Sequence, residues 1–155
     1  MATGAAENLF VDTNILVYAT VASAPLHLQA KDALVRHRKS GKNLWISRQV
    51  LREYLAVLSR PQTFTPALAM ETLFEELVLI ESRFFIAEDG PKVTEKLVSL
   101  LREIPSAGKQ VHDANIVATM LAHNIPALIT HNMSDYARYS GVIEIIPLER
   151  EENIA

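Results

Sequence analysis

The amino-acid sequence predicts an α/β domain whose central sheet is mostly parallel, has about five strands and is flanked by helices. The first observation is that short apolar runs alternate along the chain with longer segments in which apolar residues recur at helical spacing. The second is composition: hydrophobic residues make up 49% of the 155 residues and charged residues 21%, so the chain can bury a core. We expect a single domain over residues 1–148, followed by a charged tail over 149–155.

The predicted strands are short apolar runs, and the predicted helices fill the intervals between them. The strands are 9–11, 44–46, 84–86, 127–129 and 142–146, with Pro147 closing the last. The helices are 13–20, 26–38, 49–59, 66–81, 91–103 and 112–124. The fourth helix is predicted to begin at 66 because Thr65 suits the N-cap and Pro66 the first helical position.

Composition excludes several kinds of chemistry. The chain has no cysteine, which rules out disulfides, thiolate zinc sites and cysteine nucleophiles. Its formal net charge is −3, so a polyanionic substrate would need a local basic patch or a bound cation rather than the overall field. No apolar run is long enough to cross a bilayer, and residues 1–8 lack the pattern of a secretory signal. We therefore expect a cytoplasmic protein with no membrane partner.

Two carboxylates follow predicted strands. Asp12 comes directly after the first strand, and Asp135 comes shortly after the fourth, behind Thr130 and Asn132. Ligands of parallel sheets bind outside the carboxyl ends of the strands, so these two segments are expected to meet at one edge. Each acid also has an ordinary alternative interpretation: Asp12 as a helix N-cap, and Asp135 as a solvated residue after a cap at Asn132 or Ser134.

Two further carboxylates lie on predicted helices. Glu53 projects to the margin of the apolar face of its helix, and Asp113 projects to the middle of the apolar face that Ile116 and Met120 define. A carboxylate aimed at a core is costly unless it is paired, hydrogen-bonded or bound to a metal. The alternatives are a half-exposed Glu53 whose stem packs on the core, and an Asp113 that serves as the N-cap.

Taken together, the four acids indicate a site for a hard divalent cation. Oxygen ligands suit Mg²⁺ or Mn²⁺, and a bound ion relieves the repulsion among gathered carboxylates. Such an ion can also activate water and neutralise charge that builds on a phosphodiester. This chemistry needs neither a cysteine nor a net positive charge.

Four short motifs around these acids resemble those of PIN-domain nucleases. They occur in the family's order, and they are FVDTNILVY at 10–18, ISRQVLREY at 46–54, HDANIVA at 112–118 and THNMSDY at 130–136. The resemblance extends from residue 9 to about 147. The size of the chain is most similar to that of VapC-type toxins of bacterial and archaeal toxin–antitoxin pairs.

The resemblance implies a PIN-like fold and Mg²⁺- or Mn²⁺-dependent endonucleolytic cleavage of RNA that leaves a 5′-phosphate. It implies catalytic and metal-binding roles for Asp12, Glu53, Asp113 and Asp135, with Asn14, Thr130 and Asn132 in support. Asn132 stands where some members carry another acid, so one catalytic metal or two both stay open. The family further implies a homodimer and a small VapB-type antitoxin as partner.

Several alternatives remain beside the toxin hypothesis. The chain could be a PIN-domain RNA-processing nuclease outside a toxin–antitoxin pair, or a non-catalytic RNA-binding or assembly module. A haloacid-dehalogenase-like phosphatase would need a second Asp where Asn14 stands, and a receiver domain would need paired acids near the first strand. Arg48 and Arg52, on the polar side of the Glu53 helix, are candidate RNA contacts.

Overall fold

The computed structural model describes residues 7–148, which form one α/β unit around a parallel sheet. In chain order the elements are β1 Asn8–Val11, α1 Thr13–Thr20, α2 His27–Lys39, β2 Asn43–Ser47, α3 Arg48–Leu58, α4 Met70–Arg83, β3 Phe85–Ala87, α5 Pro91–Glu103, α6 Gln110–Ala122, β4 Ala127–Thr130, α7 Met133–Tyr136 and β5 Glu144–Pro147. A single 3₁₀ turn, Ala137–Tyr139, follows α7. The predicted α/β class with a parallel sheet of five strands is confirmed.

The strand order places β1 at the centre of the sheet. The five strands lie in the order β3-β2-β1-β4-β5, and every adjacent pair is parallel. The chain therefore builds outward from β1 to β3 on one side and then returns to place β4 on the other side of β1. This reversal creates a crevice at the carboxyl ends of β1 and β4, which is where open parallel sheets bind ligands.

The hydrophobic core lies on both faces of the sheet. The side chains of Phe10 and Val11 in β1 and of Leu128 and Ile129 in β4 are fully buried, as expected for strands covered on both faces by helices. The helix α1 contacts α2 and α3, and α5 contacts α6. The two central strands thus hold the residues that follow them in a rigid frame.

The predicted start of the fourth helix is wrong. The helix α4 begins at Met70, and Ala69 is its N-cap. The backbone groups of Thr65 instead pair with those of Gln62, at 2.8 and 3.3 Å, and the amide of Leu68 donates to the carbonyl of Leu58 at 2.8 Å. These bonds satisfy the backbone outside a helix, so residues 66–69 are not helical.

The predicted last strand is also shifted. The amides of Val142 and Ile143 both donate to the carbonyl of Tyr139, at 2.8 and 3.1 Å, so these two residues belong to a turn. The strand β5 begins at Glu144 and includes Pro147, which pairs with Thr130. An edge strand tolerates proline because the missing amide need not donate to a neighbour.

The remaining boundaries agree with the predictions to within a few residues, and α7 was not predicted as a helix. Within residues 7–148 no helix is both long enough and apolar enough to span a membrane. The division into a domain over 1–148 and a charged tail over 149–155 stays a prediction, because 1–6 and 149–155 lie outside the described residues.

Candidate active site

A cleft of about 340 Å³ opens at the carboxyl edge of the sheet, beside the ends of β1 and β4. All four acids singled out in the sequence line it, so the fold brings together residues as far apart in the chain as Asp12 and Asp135. The lining residues are Asp12, Thr13, Asn14, Val17, Tyr18, Glu53, Val57, Gln62, Phe64, Asp113, Asn132, Asp135 and Tyr136.

Asp12 is both the N-cap of α1 and a wall of the cleft. The amide of Thr13 donates to its Oδ1 at 2.8 Å, and only 5% of the residue is exposed. Burial raises the pKa of the Asp12 carboxyl from 3.8 to about 6, against the opposing effect of its hydrogen bonds with Thr130 and Thr13; the nearby Glu53 charge raises it further. The capping and functional interpretations of this residue are therefore compatible.

Asn14 and Thr130 fix the orientation of the Asp12 carboxylate. The Thr130 hydroxyl donates to Asp12 Oδ2 at 2.7 Å, and Asn14 Nδ2 donates to the same oxygen at 3.2 Å. The amide of His131 donates to Asn14 Oδ1 at 3.0 Å, and the amide of Asn132 donates to Thr130 Oγ1 at 3.0 Å. This network ties the end of β1 to the end of β4.

Glu53 is held from two sides. The hydroxyl of Thr13 donates to Glu53 Oε1 at 2.7 Å, and Gln49 Nε2 donates to Glu53 Oε2 at 2.9 Å. The same Gln49 nitrogen donates to the His112 carbonyl at 2.9 Å, and Gln49 Oε1 accepts from Asn115 Nδ2 at 2.9 Å. Through these bonds α1, α3 and α6 position one carboxylate.

Asp113 lies in the first turn of α6, three residues after the helix begins at Gln110, so it is not the N-cap. It is half-buried and lines the cleft, with no hydrogen bond or ion pair to its carboxylate from residues 7–148. Burial raises its pKa to about 6, and the charges of Asp135, Asp12 and Glu53 add to this effect.

Asp135 and Tyr136 complete the cleft from α7. Asp135 is exposed and occupies the first turn of that helix. Tyr136 is buried, and its pKa is raised strongly, first by burial and then by the surrounding acids. Its hydroxyl is therefore protonated at neutral pH.

The donor set fits a hard divalent cation in its chemistry. Four carboxylates face one cleft, two of them have raised pKa values, and the lining residues include no lysine or arginine to balance them. In the described part of the chain, however, no three Asp, Glu or His side chains already stand close enough together to hold an ion. Mg²⁺ commonly binds proteins through one or two carboxylates and keeps several waters, so this spacing does not conflict with a cation site.

The two arginines predicted as RNA contacts lie outside the cleft lining. The Arg48 guanidinium forms ion pairs with Glu81 at 2.7 Å and with Glu88 at 2.8 Å, and the hydrogen bonds to Glu88 and then Glu81 raise its pKa. Arg52 is exposed on α3. Contact of either residue with RNA stays a prediction.

The residues of the site that sequence reasoning missed include Thr13, Gln49, Tyr18, Gln62 and Phe64. Thr13 and Gln49 lie within the quoted motifs, one residue after Asp12 and one turn before Glu53, so spacing could have indicated them. Phe64 and Gln62 lie in the connection before α4, where no periodic pattern indicates which way a side chain faces.

The comparisons with known proteins agree with this architecture. The family model described as PIN domain matches residues 9–141, and the chain belongs to this family. A search of curated proteins gave no match.

Solved structures with a similar fold include several toxin–antitoxin proteins. A VapBC2 complex from Rickettsia felis bound to a promoter DNA fragment is 22% identical, with a TM-score of 0.64, and the match covers 90% of this chain and 98% of that one. A toxin–antitoxin complex from Klebsiella pneumoniae is 23% identical, with a TM-score of 0.64 and coverage of 92% and 98%. VapC20 of Mycobacterium tuberculosis, a toxin that cleaves the sarcin–ricin loop, is 18% identical, with a TM-score of 0.58 and coverage of 77% and 86%. At these identities the likeness shows the fold.

Proposed function

We propose that this protein is a divalent-metal-dependent endoribonuclease and the toxin of a VapBC-type toxin–antitoxin pair that acts in the cytoplasm. The observation that carries the nuclease proposal is the convergence of Asp12, Glu53, Asp113 and Asp135 on one cleft at the β1–β4 switch point. Membership of the PIN domain family supports it. The toxin proposal draws its support from the VapBC complexes of the same fold.

The residues of the cleft divide into those that would hold an ion and those that position them. Asp12, Glu53, Asp113 and Asp135 would hold Mg²⁺ or Mn²⁺, with Asn132 nearby as a neutral oxygen donor. When bound, the ion supplies positive charge to a phosphodiester and lowers the pKa of a coordinated water. Asn14 and Thr130 hold the Asp12 carboxylate in one orientation through its Oδ2 atom.

The raised pKa values of Asp12 and Asp113 are consistent with this role. A carboxylate that is desolvated and surrounded by like charges is unstable alone and binds a cation more favourably than a solvated one does. Thr13 and Gln49 occupy both Glu53 oxygens with hydrogen-bond donors, so Glu53 would approach an ion with its orientation already restricted.

The test is cleavage of end-labelled total RNA by the purified chain with Mn²⁺ or Mg²⁺ and with EDTA. Wild type should cleave only with metal, and Asp12→Asn and Asp113→Asn should lose activity by roughly 100-fold or more, as removal of a group that organises transition-state charge commonly does. Asp32→Asn is the matched control, because Asp32 is an exposed carboxylate on α2, away from the cleft. Cleavage that persists in EDTA or in both cleft variants would contradict the proposal.

The alternative to the nuclease is a non-catalytic RNA-binding or assembly module. Metal-independent RNA binding, with no cleavage of any RNA by the pure wild type, would favour that function. Metal-dependent cleavage would exclude it.

The toxin proposal has its own test. Induced expression of wild type in a bacterial host should arrest growth, and Asp113→Asn should not. If a small reading frame adjoins the gene, its co-expression should restore growth and yield a complex on size exclusion, with two copies of this chain in each complex. If wild-type expression leaves growth unchanged although the pure protein cleaves RNA, an RNA-processing role replaces the toxin role.

A further inference from the structure

The cleft has a second wall that holds none of the acids. Val17 and Tyr18 come from α1, Val57 from α3, and Gln62 and Phe64 from the connection between α3 and α4. Tyr18, Val57, Gln62 and Phe64 are half-buried, so part of each remains accessible from the cleft. One cavity thus joins a carboxylate wall to an apolar and aromatic wall.

Two aromatic rings of this wall are set edge to face. The ring centroids of Tyr18 and Phe64 are 6.3 Å apart with an interplanar angle of 74°, and Tyr18 meets His131 at 5.7 Å and 69°. Such T-shaped contacts are favourable and fix the ring planes relative to each other. His131 follows Thr130 directly, so the aromatic group adjoins the network that orients Asp12.

The backbone behind these rings is also fixed. The Ser23 hydroxyl donates to the Phe64 carbonyl at 2.6 Å, and Gln62 and Thr65 pair through their backbones on either side of Phe64. His27 Nδ1 lies 2.8 Å from the Tyr18 carbonyl. The rings are therefore held in place before any ligand binds, which lowers the entropy lost on binding.

The position of the rings matches the chemistry of a nucleotide. If a phosphodiester binds at the acids, the bases of the two flanking nucleotides lie within one nucleotide of it, close enough to reach the other wall of the same cleft. Aromatic side chains are the usual platforms for single-stranded bases because every base has a π face. A preformed apolar and aromatic wall that continues from the acids suits an unpaired base.

Gln62 adds one directional polar atom to this wall. Its Nε2 donates to the carbonyl of Val57 at 2.7 Å and to that of Arg60 at 3.3 Å. Two carbonyl acceptors on the nitrogen determine which way the amide is turned, so Oε1 is the remaining atom of this side chain that can serve a ligand. It can accept from an amino or imino group at the edge of a stacked base.

We propose that Tyr18 and Phe64 form a stacking site for one unpaired base adjacent to the scissile phosphate, with Gln62 as an acceptor at the edge of that base. This inference rests on the proposed RNA substrate and adds the binding mode. It predicts that cleavage is faster when a base, and not only a sugar–phosphate backbone, lies next to the cut.

The test uses the full chain and short single-stranded RNA oligonucleotides that carry one 2-aminopurine, whose fluorescence falls when it stacks. The fall in fluorescence is recorded in a rapid-mixing experiment with Mg²⁺ present, before product accumulates. Tyr18→Leu and Phe64→Leu remove one ring each and keep an apolar side chain. Phe85→Leu is the control, since Phe85 is an exposed aromatic residue on the edge strand β3 rather than in the cleft wall.

The expected result is strong quenching with wild type and Phe85→Leu, and weak quenching with either cleft variant. Removing an aromatic ring on which a base stacks should lower the affinity for the RNA by roughly 5- to 150-fold. Phe64→Tyr should restore binding, because it returns an aromatic face. Equal quenching in all variants, or none in wild type, would overturn the proposal.

A cleavage assay separates this inference from the proposed function. Wild type should cut an RNA with an abasic nucleotide beside the cut site more slowly than the intact RNA, and Phe64→Leu should not distinguish the two. If wild type cleaves both equally, the stacking site is wrong while the nuclease stands. If no RNA is cleaved but quenching depends on the rings, the nuclease proposal fails while the base site stands.

Discussion

Raising the pH of the metal-free protein from about 5 to about 7.5 should lower its free energy of unfolding, because the fold buries the Asp12 carboxylate. Asp12 is 5% exposed, and burial raises its pKa from 3.8 to about 6. A pKa that is higher in the folded than in the unfolded chain means that the folded chain binds the proton more tightly. The stability that this proton provides is complete below about pH 3.8 and is lost as the pH rises through about 6.

The magnitude follows from the two pKa values. At about 1.4 kcal/mol for each tenfold change, the whole difference amounts to about 3 kcal/mol, and about 1.4 kcal/mol of it falls between pH 5 and 7.5. For a domain of this size 1 kcal/mol corresponds to about 2–4 °C, so the melting temperature should fall by roughly 3–6 °C. Asp113, whose pKa is also raised, acts in the same direction from a more solvated position.

The assay is thermal denaturation in EDTA at a series of pH values, followed by circular dichroism. The comparison variant is Asp12→Asn, which cannot ionise at this position. The amide nitrogen of the new Asn would lie close to Asn14 Nδ2, which is also a donor, and this contact would lower the absolute stability. The decisive quantity is therefore the slope of the melting temperature against pH. Asp32→Asn is the matched control and should retain the wild-type slope. A flat or rising wild-type profile, or the same slope in Asp12→Asn, would refute the reasoning.

Three further predictions follow from the same geometry. Mg²⁺ or Mn²⁺ should raise the melting temperature of wild type at neutral pH and have a much smaller effect on Asp113→Asn. Scanning fluorimetry measures both shifts, and EDTA should reverse them. An equal shift in the two proteins would argue against the cleft as the metal site. Gln49→Leu should destabilise the protein by roughly 1–3 kcal/mol in urea denaturation, because it leaves Asn115 and the His112 carbonyl without their partner. It should also reduce cleavage, because Glu53 Oε2 loses the donor that positions it. Arg52→Ala should weaken RNA binding and reduce the slope of log affinity against log salt by about one, whereas an unchanged slope would remove Arg52 from the RNA contacts.

The sequence was sufficient for the fold class because its signals are local. Each central strand is a short apolar run, and each helix shows its own periodicity, so neither depends on knowing what packs against it. The same reasoning placed Asp113 on the apolar face of its helix and Glu53 at the margin of the apolar face of another helix. Both side chains line the cleft. Local reasoning failed at Thr65 and Pro66, where backbone bonds to Gln62 and from Leu68 to Leu58 prevail over a favourable capping pattern.

The tertiary structure decided which residues act together. Gln49 joins Glu53 to Asn115 only because α3 packs beside α6, and nothing in the spacing of either helix specifies that neighbour. Phe64 reaches the cleft from a non-helical connection whose carbonyl at Phe64 accepts from the Ser23 hydroxyl, 41 residues away. The sequence by itself determined the elements and the residues at their ends, since propensity and periodicity act over a few positions. The depth of burial of Asp12, and with it the raised pKa, depends on β4, which lies far along the chain and meets β1 only in the folded sheet. The Thr130 hydroxyl, 118 residues away, opposes that rise through its hydrogen bond with Asp12.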